Sequence, residues 1–97
     1  MYFVTNRFLV KSKHQRDFIK ETKTIWIGSY KKSKRGFVKT MILKNRKNPD
    51  EFLTIDIWKS KKDADRFFAS NLQRLLKASH VPKRYLKRES FSSAKYK

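Results

Sequence analysis

The side chains that could carry out chemistry in this sequence are few and widely separated. Its two histidines, His14 and His80, stand near opposite ends of the chain, and there is no cysteine. Protein metal sites are usually built from three or four clustered histidine, cysteine or carboxylate ligands, so the sequence predicts none. Gly28 and Gly36 are the only glycines, which leaves no glycine-rich phosphate loop. The remaining candidates for a functional site are single polar residues inside apolar segments.

Two polar side chains interrupt segments that otherwise have the composition of strands. Asn6 lies within YFVTNRFLV (2–10), and strand alternation places it on one face with Val4 and Phe8. A buried amide needs a hydrogen-bond partner, so Asn6 is expected to meet either a neighbouring backbone group or a ligand. Asp56 lies within EFLTIDIWK (51–59) and is either an acid in a pocket or the partner of one of the many lysines.

The chain is strongly basic, with 26 Lys and Arg against 8 Asp and Glu and a formal net charge of +18. Such a charge attracts nucleic acids and other anions. The densest run is KKSKR (31–35), but the remaining basic residues are spread over nearly every segment, as on a solvated basic surface. No apolar run approaches the ~20 residues of a membrane span, and the N-terminus does not resemble a secretion signal. We therefore expect a cytoplasmic protein.

The order of elements predicts a ferredoxin-like α+β domain that occupies residues 1–97. Two capping boxes, Ser12 with Gln15 and Ser60 with Asp63, open two helices at about 13–26 and 61–79. Gly28 and a basic loop are expected to end the first helix, and Val81-Pro82 the second. Strands are predicted at 2–10, 37–44 and 51–59, and the basic tail 80–97 shows a weak alternation at 91–96 that suits a short last strand. The arrangement is β-α-β-β-α-β with an antiparallel sheet.

Both faces of this predicted sheet are apolar. In the first strand Phe3 and Leu9 point away from Val4 and Phe8. Two helices can cover only one face, so the other is expected to pack against a second copy of the chain. The sequence therefore predicts a homodimer.

Several short motifs, in order, resemble the antibiotic biosynthesis monooxygenase (ABM) superfamily of dimeric α+β barrels. They are VTNRFLVKSKH, the Gly36-Phe37 that opens the second strand, MIL (41–43), the turn at 48–50, and IDIWKSKKDADRF (55–67). The resemblance covers about residues 2–80. The Asn-Arg pair of the first strand is most similar to the heme-degrading branch.

The resemblance implies roles for individual residues. Asn6 would be catalytic, with its amide directed at a ligand or at an oxygen species bound to it. Phe67 occupies the position of the family's helical Trp and would contact the ligand. Lys77 occupies the position of the axial His, and His80, three residues further on, is the substitute candidate for heme ligation. Trp58 would pack between the two subunits.

Two functions remain open from the sequence. The first is a dimeric monooxygenase-like domain that binds an aromatic or tetrapyrrole ligand between the second helix and the sheet, using either no cofactor or heme. The departures at Phe67 and Lys77 leave open whether catalysis is retained. The alternative is a non-catalytic basic binding module, including salt-dependent nucleic-acid binding, because RNA-recognition domains share this order of elements.

Overall fold

A four-stranded antiparallel sheet forms one layer of the domain. The computed structural model describes residues 1–33 and 35–92, and the side chains of 1–33 and 35–85. The strands are β1 (Tyr2–Leu9), β2 (Phe37–Lys44), β3 (Glu51–Trp58) and β4 (Leu86–Ser92), in the spatial order β2-β3-β1-β4. The three strand pairs are antiparallel. The α+β fold and its ferredoxin-like order are confirmed.

The first helical segment is longer than the sequence indicated. It begins after a short 3₁₀ turn and runs through α1 (Gln15–Glu21), a π-helical stretch (Thr22–Ile27) and α2 (Gly28–Ser33). The prediction that Gly28 ends the helix is wrong, because Gly28 adopts ordinary right-handed helical angles of φ −56 and ψ −41. The sharp turn comes later, at Gly36, with φ 77.

The second long helix, α3 (Lys61–Ala78), agrees with its prediction. The Ser60 hydroxyl accepts a hydrogen bond from the Asp63 N–H at 3.1 Å, as expected for an N-cap. Val81-Pro82 does not simply end this helix, because both residues belong to a further short helix, α4 (Val81–Tyr85), in which Pro82 occupies an early position that tolerates it. The last strand starts earlier than expected, and 93–96 lie outside the described residues.

The sheet face toward the helices is fixed by the register of its two central strands. Val4 pairs with Asp56, Asn6 with Thr54, and Phe8 with Phe52, so these side chains share one face. Two clusters of buried residues fill the space beneath the helices. One comprises Phe8, Val10, Phe18, Phe52 and Val81, and the other Tyr30, Trp58, Ala64, Phe67 and Leu75.

Trp58 belongs to the second cluster, so its placement between subunits is wrong. Its side chain is completely buried within one chain. It shares strand parity with Phe52 and Asp56, which directs it toward the helices, and its ring lies 5.4 Å from those of Tyr30 and Phe67. The position of Trp58 at the end of β3 suggested the dimer interface, but the alternation of side chains along the strand directs it to the face that the helices cover.

The opposite sheet face carries apolar side chains that no described helix covers. Phe3, Leu9 and Leu43 are 42%, 43% and 44% exposed. Met41 and Ile55 pair across β2 and β3 on this same face. Two apolar faces are therefore present, as the sequence predicted, and one of them is uncovered in the single chain.

Candidate functional site

A cavity of about 240 Å³ lies between the helices and the sheet. Its walls are mostly apolar with a few polar groups, the usual character of a small-molecule site. For scale, a 150 Å³ apolar cavity holds benzene, so this space suits a molecule of about two fused aromatic rings. The lining residues are Val4, Asn6, Phe8, Thr22, Trp26, Ile27, Tyr30, Thr54, Asp56, Phe68, Leu72, Leu76, Val81 and Pro82.

The π-helical stretch supplies much of the helical wall. Thr22, Trp26 and Ile27 all line the cavity, and Tyr30 follows on the next turn in α2. A π turn is wider than an α turn and therefore changes which side chains share a face; such turns occur frequently at functional sites. The irregular segment of this helix thus coincides with the cavity.

Among the described side chains, Asp56 is the one acidic residue on the cavity wall. Its side chain is buried, and both carboxylate oxygens accept hydrogen bonds from hydroxyl groups. Thr40 Oγ1 donates to Oδ1 at 2.8 Å, and Tyr30 Oη donates to Oδ2 at 3.3 Å. Thr40 stands directly opposite Asp56 in the β2–β3 register. Instead of the expected lysine, Asp56 therefore has two neutral hydrogen-bond donors.

Burial raises the pKa of Asp56 to about 6, while the hydrogen bonds from Thr40 and Tyr30 act in the opposite direction. The pKa of the Tyr30 hydroxyl is raised well above its usual value, first by burial and then by the charge of Asp56. Tyr30 therefore remains a phenol at neutral pH. A carboxyl group with a pKa near 6 can accept a proton and return it, as general acid–base catalysis requires.

Asn6 lies on the cavity wall, on the sheet face where strand alternation placed it with Val4 and Phe8. Its partner Thr54 is two residues from Asp56 on β3, so Asn6 and Asp56 are diagonal neighbours on one sheet face. The structure thus brings Asn6 together with an acid that the sequence offered only as an alternative. The catalytic role of Asn6 stays a prediction.

Phe67 is placed in the core rather than on the cavity wall. It is 6% exposed, and its ring lies 5.2 Å from that of Tyr30 and 5.3 Å from that of Phe68. One residue along a helix turns a side chain by about 100°, and it is Phe68 that lines the cavity. The side chain of Phe67, which occupies the position of the family's Trp, therefore belongs to the second buried cluster.

His80 is exposed and lines a separate surface groove with His14, away from Asn6. The sequence placed His80 one helical turn beyond Lys77, but α3 ends at Ala78 and Ser79 is extended. The backbone N–H of His80 donates to Glu21 Oε1 at 2.6 Å. The structure therefore does not bring His80 to the cavity that Asn6 lines.

A partly buried hydrogen-bond network lies at the end of the cavity that Val81 and Pro82 line. Trp26 Nε1 donates to Ser79 Oγ at 2.9 Å, and Ser79 Oγ donates to Glu21 Oε1 at 2.8 Å. The network joins the π-helical stretch to the link between α3 and α4. Sequence reasoning missed Tyr30, Thr22 and Ser79, because their roles depend on contacts between elements far apart in the chain.

Heme does not fit the residues that line this cavity. Of the described lining residues, none is His, Cys or Met, and Tyr30, the one among them of a type that can ligate heme iron, donates its hydroxyl to Asp56. The cavity volume also lies below the ~300 Å³ at which pockets for drug-sized ligands begin. Among the described residues, no group of three His, Cys, Asp or Glu side chains is placed to hold a metal ion.

Comparison with known proteins identifies the family to which a chain with this fold and cavity belongs. The family model for antibiotic biosynthesis monooxygenase matches residues 1–78, and the chain belongs to this family. A search of the curated proteins found no match. Among the described residues, no helix is long and apolar enough to cross a membrane.

Several solved structures share the fold. SnoaB, a cofactor-independent oxygenase from Streptomyces nogalater, has a TM-score of 0.66 and 16% identity, covering 99% of this chain and 93% of that one. A protein from Bordetella bronchiseptica assigned to the same family has a TM-score of 0.72 and 13% identity, covering 98% and 96%. A conserved protein from Methanosarcina mazei Go1 has 0.66 and 16%, covering 95% and 87%. At these identities the likeness shows the fold.

Proposed function

We propose that this ABM-family domain is an oxygenase that binds a small aromatic molecule in the cavity and needs no resident cofactor. The observation that carries the proposal is the buried carboxyl of Asp56, with a pKa of about 6, at the polar end of an apolar cavity. The cofactor-independent oxygenase SnoaB, which shares the fold, adds support. The lining residues support an aromatic ligand better than heme, so we do not extend the proposal to the heme-degrading branch.

The proposed chemistry begins with a proton transfer. Asp56, ionised above its pKa, accepts a proton from an acidic O–H or C–H of the bound aromatic molecule. The resulting anion is electron-rich and is the species that reacts with dioxygen. Without a cofactor, the two electrons that reduce the second oxygen atom to water must also come from the substrate. Asn6, on the same face, is suited to donate a hydrogen bond to the negative charge that develops on oxygen.

The test uses hydroxylated aromatics of two fused rings. Binding of 2-naphthol is measured by calorimetry, and oxygen consumption is measured with a panel of two-ring hydroquinones. Asp56→Asn should retain ligand binding but lose at least about 100-fold in turnover, the scale of general acid–base catalysis. Asp17→Asn, which changes an exposed carboxyl on α1, is the matched control. Failure of the parent protein to bind any of the aromatics would refute the proposal.

The hypothesis that the protein binds heme is tested separately. Titration of the parent protein and of His80→Ala with hemin should give no specific Soret shift in either protein. A saturable shift in the parent that disappears in His80→Ala would overturn the aromatic-ligand proposal in favour of heme.

We also propose that a second copy covers the bare sheet face. The apolar exposure of Phe3, Leu9 and Leu43 supports this proposal, since exposed apolar patches of this kind mark interaction sites. Nucleic-acid binding through the same face is less well supported. Phe37, Phe52 and Trp58 face the helices, and Phe3 is the one described strand aromatic on the bare face, so the paired stacking aromatics of RNA-recognition domains are lacking among these side chains.

A further inference from the structure

An open groove of about 500 Å³ lies at the edge of the sheet, between the first helical segment and the edge strand β2. The helical wall contributes Lys23, Ile27, Tyr30 and Lys31, and the strand contributes residues 37–40. Ile27 and Tyr30 also line the cavity, so they lie between the two spaces. We call this second space the lysine groove.

Lysines line the groove from both of its walls. Lys23 and Lys31 stand eight residues apart with Ile27 midway, a spacing that places them along one side of the helix. Lys39 comes from β2, whose register against β3 shifts between Phe37 and Lys39, and such irregularities redirect side chains. The fold thus brings together three positive charges from segments distant in the sequence.

The lysine groove has no carboxylate among its described lining residues, unlike the other charged grooves. Ion pairs such as Arg7–Glu51 and Lys61–Asp65 lie in those other grooves. None of the three lysines forms an ion pair with a described residue. Positive charges gathered in a groove without a counter-charge attract anions.

Between the lysines the lining is apolar. Val38 is 39% exposed, and the rings of Tyr30 and Phe37 lie 5.2 Å apart. The two hydroxyl groups of the lining, those of Tyr30 and Thr40, already donate to Asp56. Among the described lining residues, the ammonium groups are therefore the polar side-chain groups that remain for a ligand.

We propose that the lysine groove binds a small organic anion that carries two or more negative charges on a flat apolar body. The negative charges match the lysines of both walls, and the apolar body covers Val38 and the ring of Phe37. A small molecule suits the site because the charges and the apolar surface lie within one groove of about 500 Å³. The site is separate from the cavity, and the inference does not depend on the proposed function.

The test uses naphthalene sulfonates, which keep one apolar body and carry permanent charges. Calorimetry at low salt should show affinity rising from 1-naphthalenesulfonate to 2,6-naphthalenedisulfonate and 1,3,6-naphthalenetrisulfonate, by about two- to fivefold for each added sulfonate, the scale of an exposed ion pair. The disulfonate should bind at least about tenfold more tightly than inorganic sulfate, which has the same charge and no apolar surface to bury. Equal affinities for sulfate and the disulfonate would overturn the inference.

Two double variants separate the groove from the overall charge. Lys23→Gln combined with Lys31→Gln should weaken trisulfonate binding by at least about fourfold, because two ion pairs are lost. Lys13→Gln combined with Lys47→Gln removes the same charge at exposed positions outside the groove. This control should stay within about twofold of the parent, since distant exposed charges are screened. Equal losses in the two double variants would show attraction by the net charge of +18 alone and would overturn the inference, whether or not 2-naphthol binds in the cavity.

Discussion

The Tyr30 hydroxyl donates to Asp56 Oδ2 at 3.3 Å, joining the helical layer to the sheet inside the cavity. Burial alone would raise the pKa of Asp56 further, and this hydrogen bond, with that from Thr40, partly offsets the effect. Because the pKa of Tyr30 is itself raised, the phenol keeps its proton and donates throughout the neutral range. The two residues therefore act together to set where Asp56 ionises.

Tyr30→Phe should raise the pKa of Asp56 above its value of about 6, because the substitution removes a donor to the charged form and leaves burial in place. Carbon-13 NMR titration of the Asp56 carboxyl measures the shift directly and does not depend on substrate. If the proposed oxygenase function holds, the pH at which turnover rises should move upward by the same amount. Tyr85→Phe, at a tyrosine whose ring packs against Phe18, is the control. An unchanged or lower pKa in Tyr30→Phe would contradict the assigned role of this hydrogen bond.

Asp56 should also make folding stability depend on pH. Its pKa is raised in the folded state from 3.8 to about 6, so the folded protein binds the proton more tightly than the unfolded chain. The stability that this gives is fully present below pH 3.8 and is lost as the pH rises through 6. Two pKa units correspond to an upper figure of about 3 kcal/mol.

Urea unfolding of the parent and of Asp56→Asn between pH 4 and pH 7 measures this dependence. The fall in free energy of unfolding across the interval should be smaller in Asp56→Asn by roughly 2–3 kcal/mol. Asp17→Asn should follow the parent. Parallel curves for the parent and Asp56→Asn would show that the carboxyl is already ionised in the folded protein at low pH.

Much of the fold follows from the sequence, since periodicity and caps act locally. The apolar alternation of β1 and the Ser60–Asp63 box of α3 each predicted an element close to its observed bounds. The prediction that Gly28 ends the first helix relied on the weak helix propensity of glycine. It was wrong because tertiary packing of Tyr30 against Trp58 stabilises the helix beyond Gly28.

The site was less predictable, because it depends on how distant elements pack. Asn6 was placed correctly on the cavity face, since strand parity alone decides that. Phe67 and His80 were chosen by resemblance to the family. Phe67 is one residue away from Phe68, which faces the cavity, and His80 lies beyond the observed end of α3, so neither side chain lines the cavity. Tyr30 gave no local signal, because its meeting with Asp56 joins residues 26 positions apart.

The two glycines should respond oppositely to alanine. Gly36 has φ 77, and a Cβ there would collide with the Asp63 side chain that helps cap α3. Gly36→Ala should therefore lower the free energy of unfolding by about 2 kcal/mol or more. Gly28 is helical and its Cβ would meet only the Lys23 carbonyl oxygen at 3.6 Å, so Gly28→Ala should raise that free energy by about 0.5–1 kcal/mol. Chemical denaturation checks both, and equal effects would contradict the assigned backbone conformations.

Leu43→Lys should disrupt the proposed dimer. Leu43 is 44% exposed on the bare sheet face and pairs with Leu53, so its side chain would be covered by the second copy. A lysine there would place an unpaired charge in an apolar interface, at a cost of several kcal/mol. Because the side chain is largely exposed within one chain, the fold itself should tolerate the change. Sedimentation velocity at micromolar concentration should show the parent as a dimer and Leu43→Lys as a monomer.

Gln73→Lys is the matched control for that experiment, because it adds the same charge at an exposed position of α3, on the opposite side of the domain. It should sediment like the parent, which separates loss of the interface from general charge repulsion in a chain of net charge +18. Circular dichroism of Leu43→Lys should match that of the parent, since an unfolded monomer would not test the interface. A parent protein that sediments as a monomer, or a folded Leu43→Lys that remains a dimer, would show that this face is not where two copies meet.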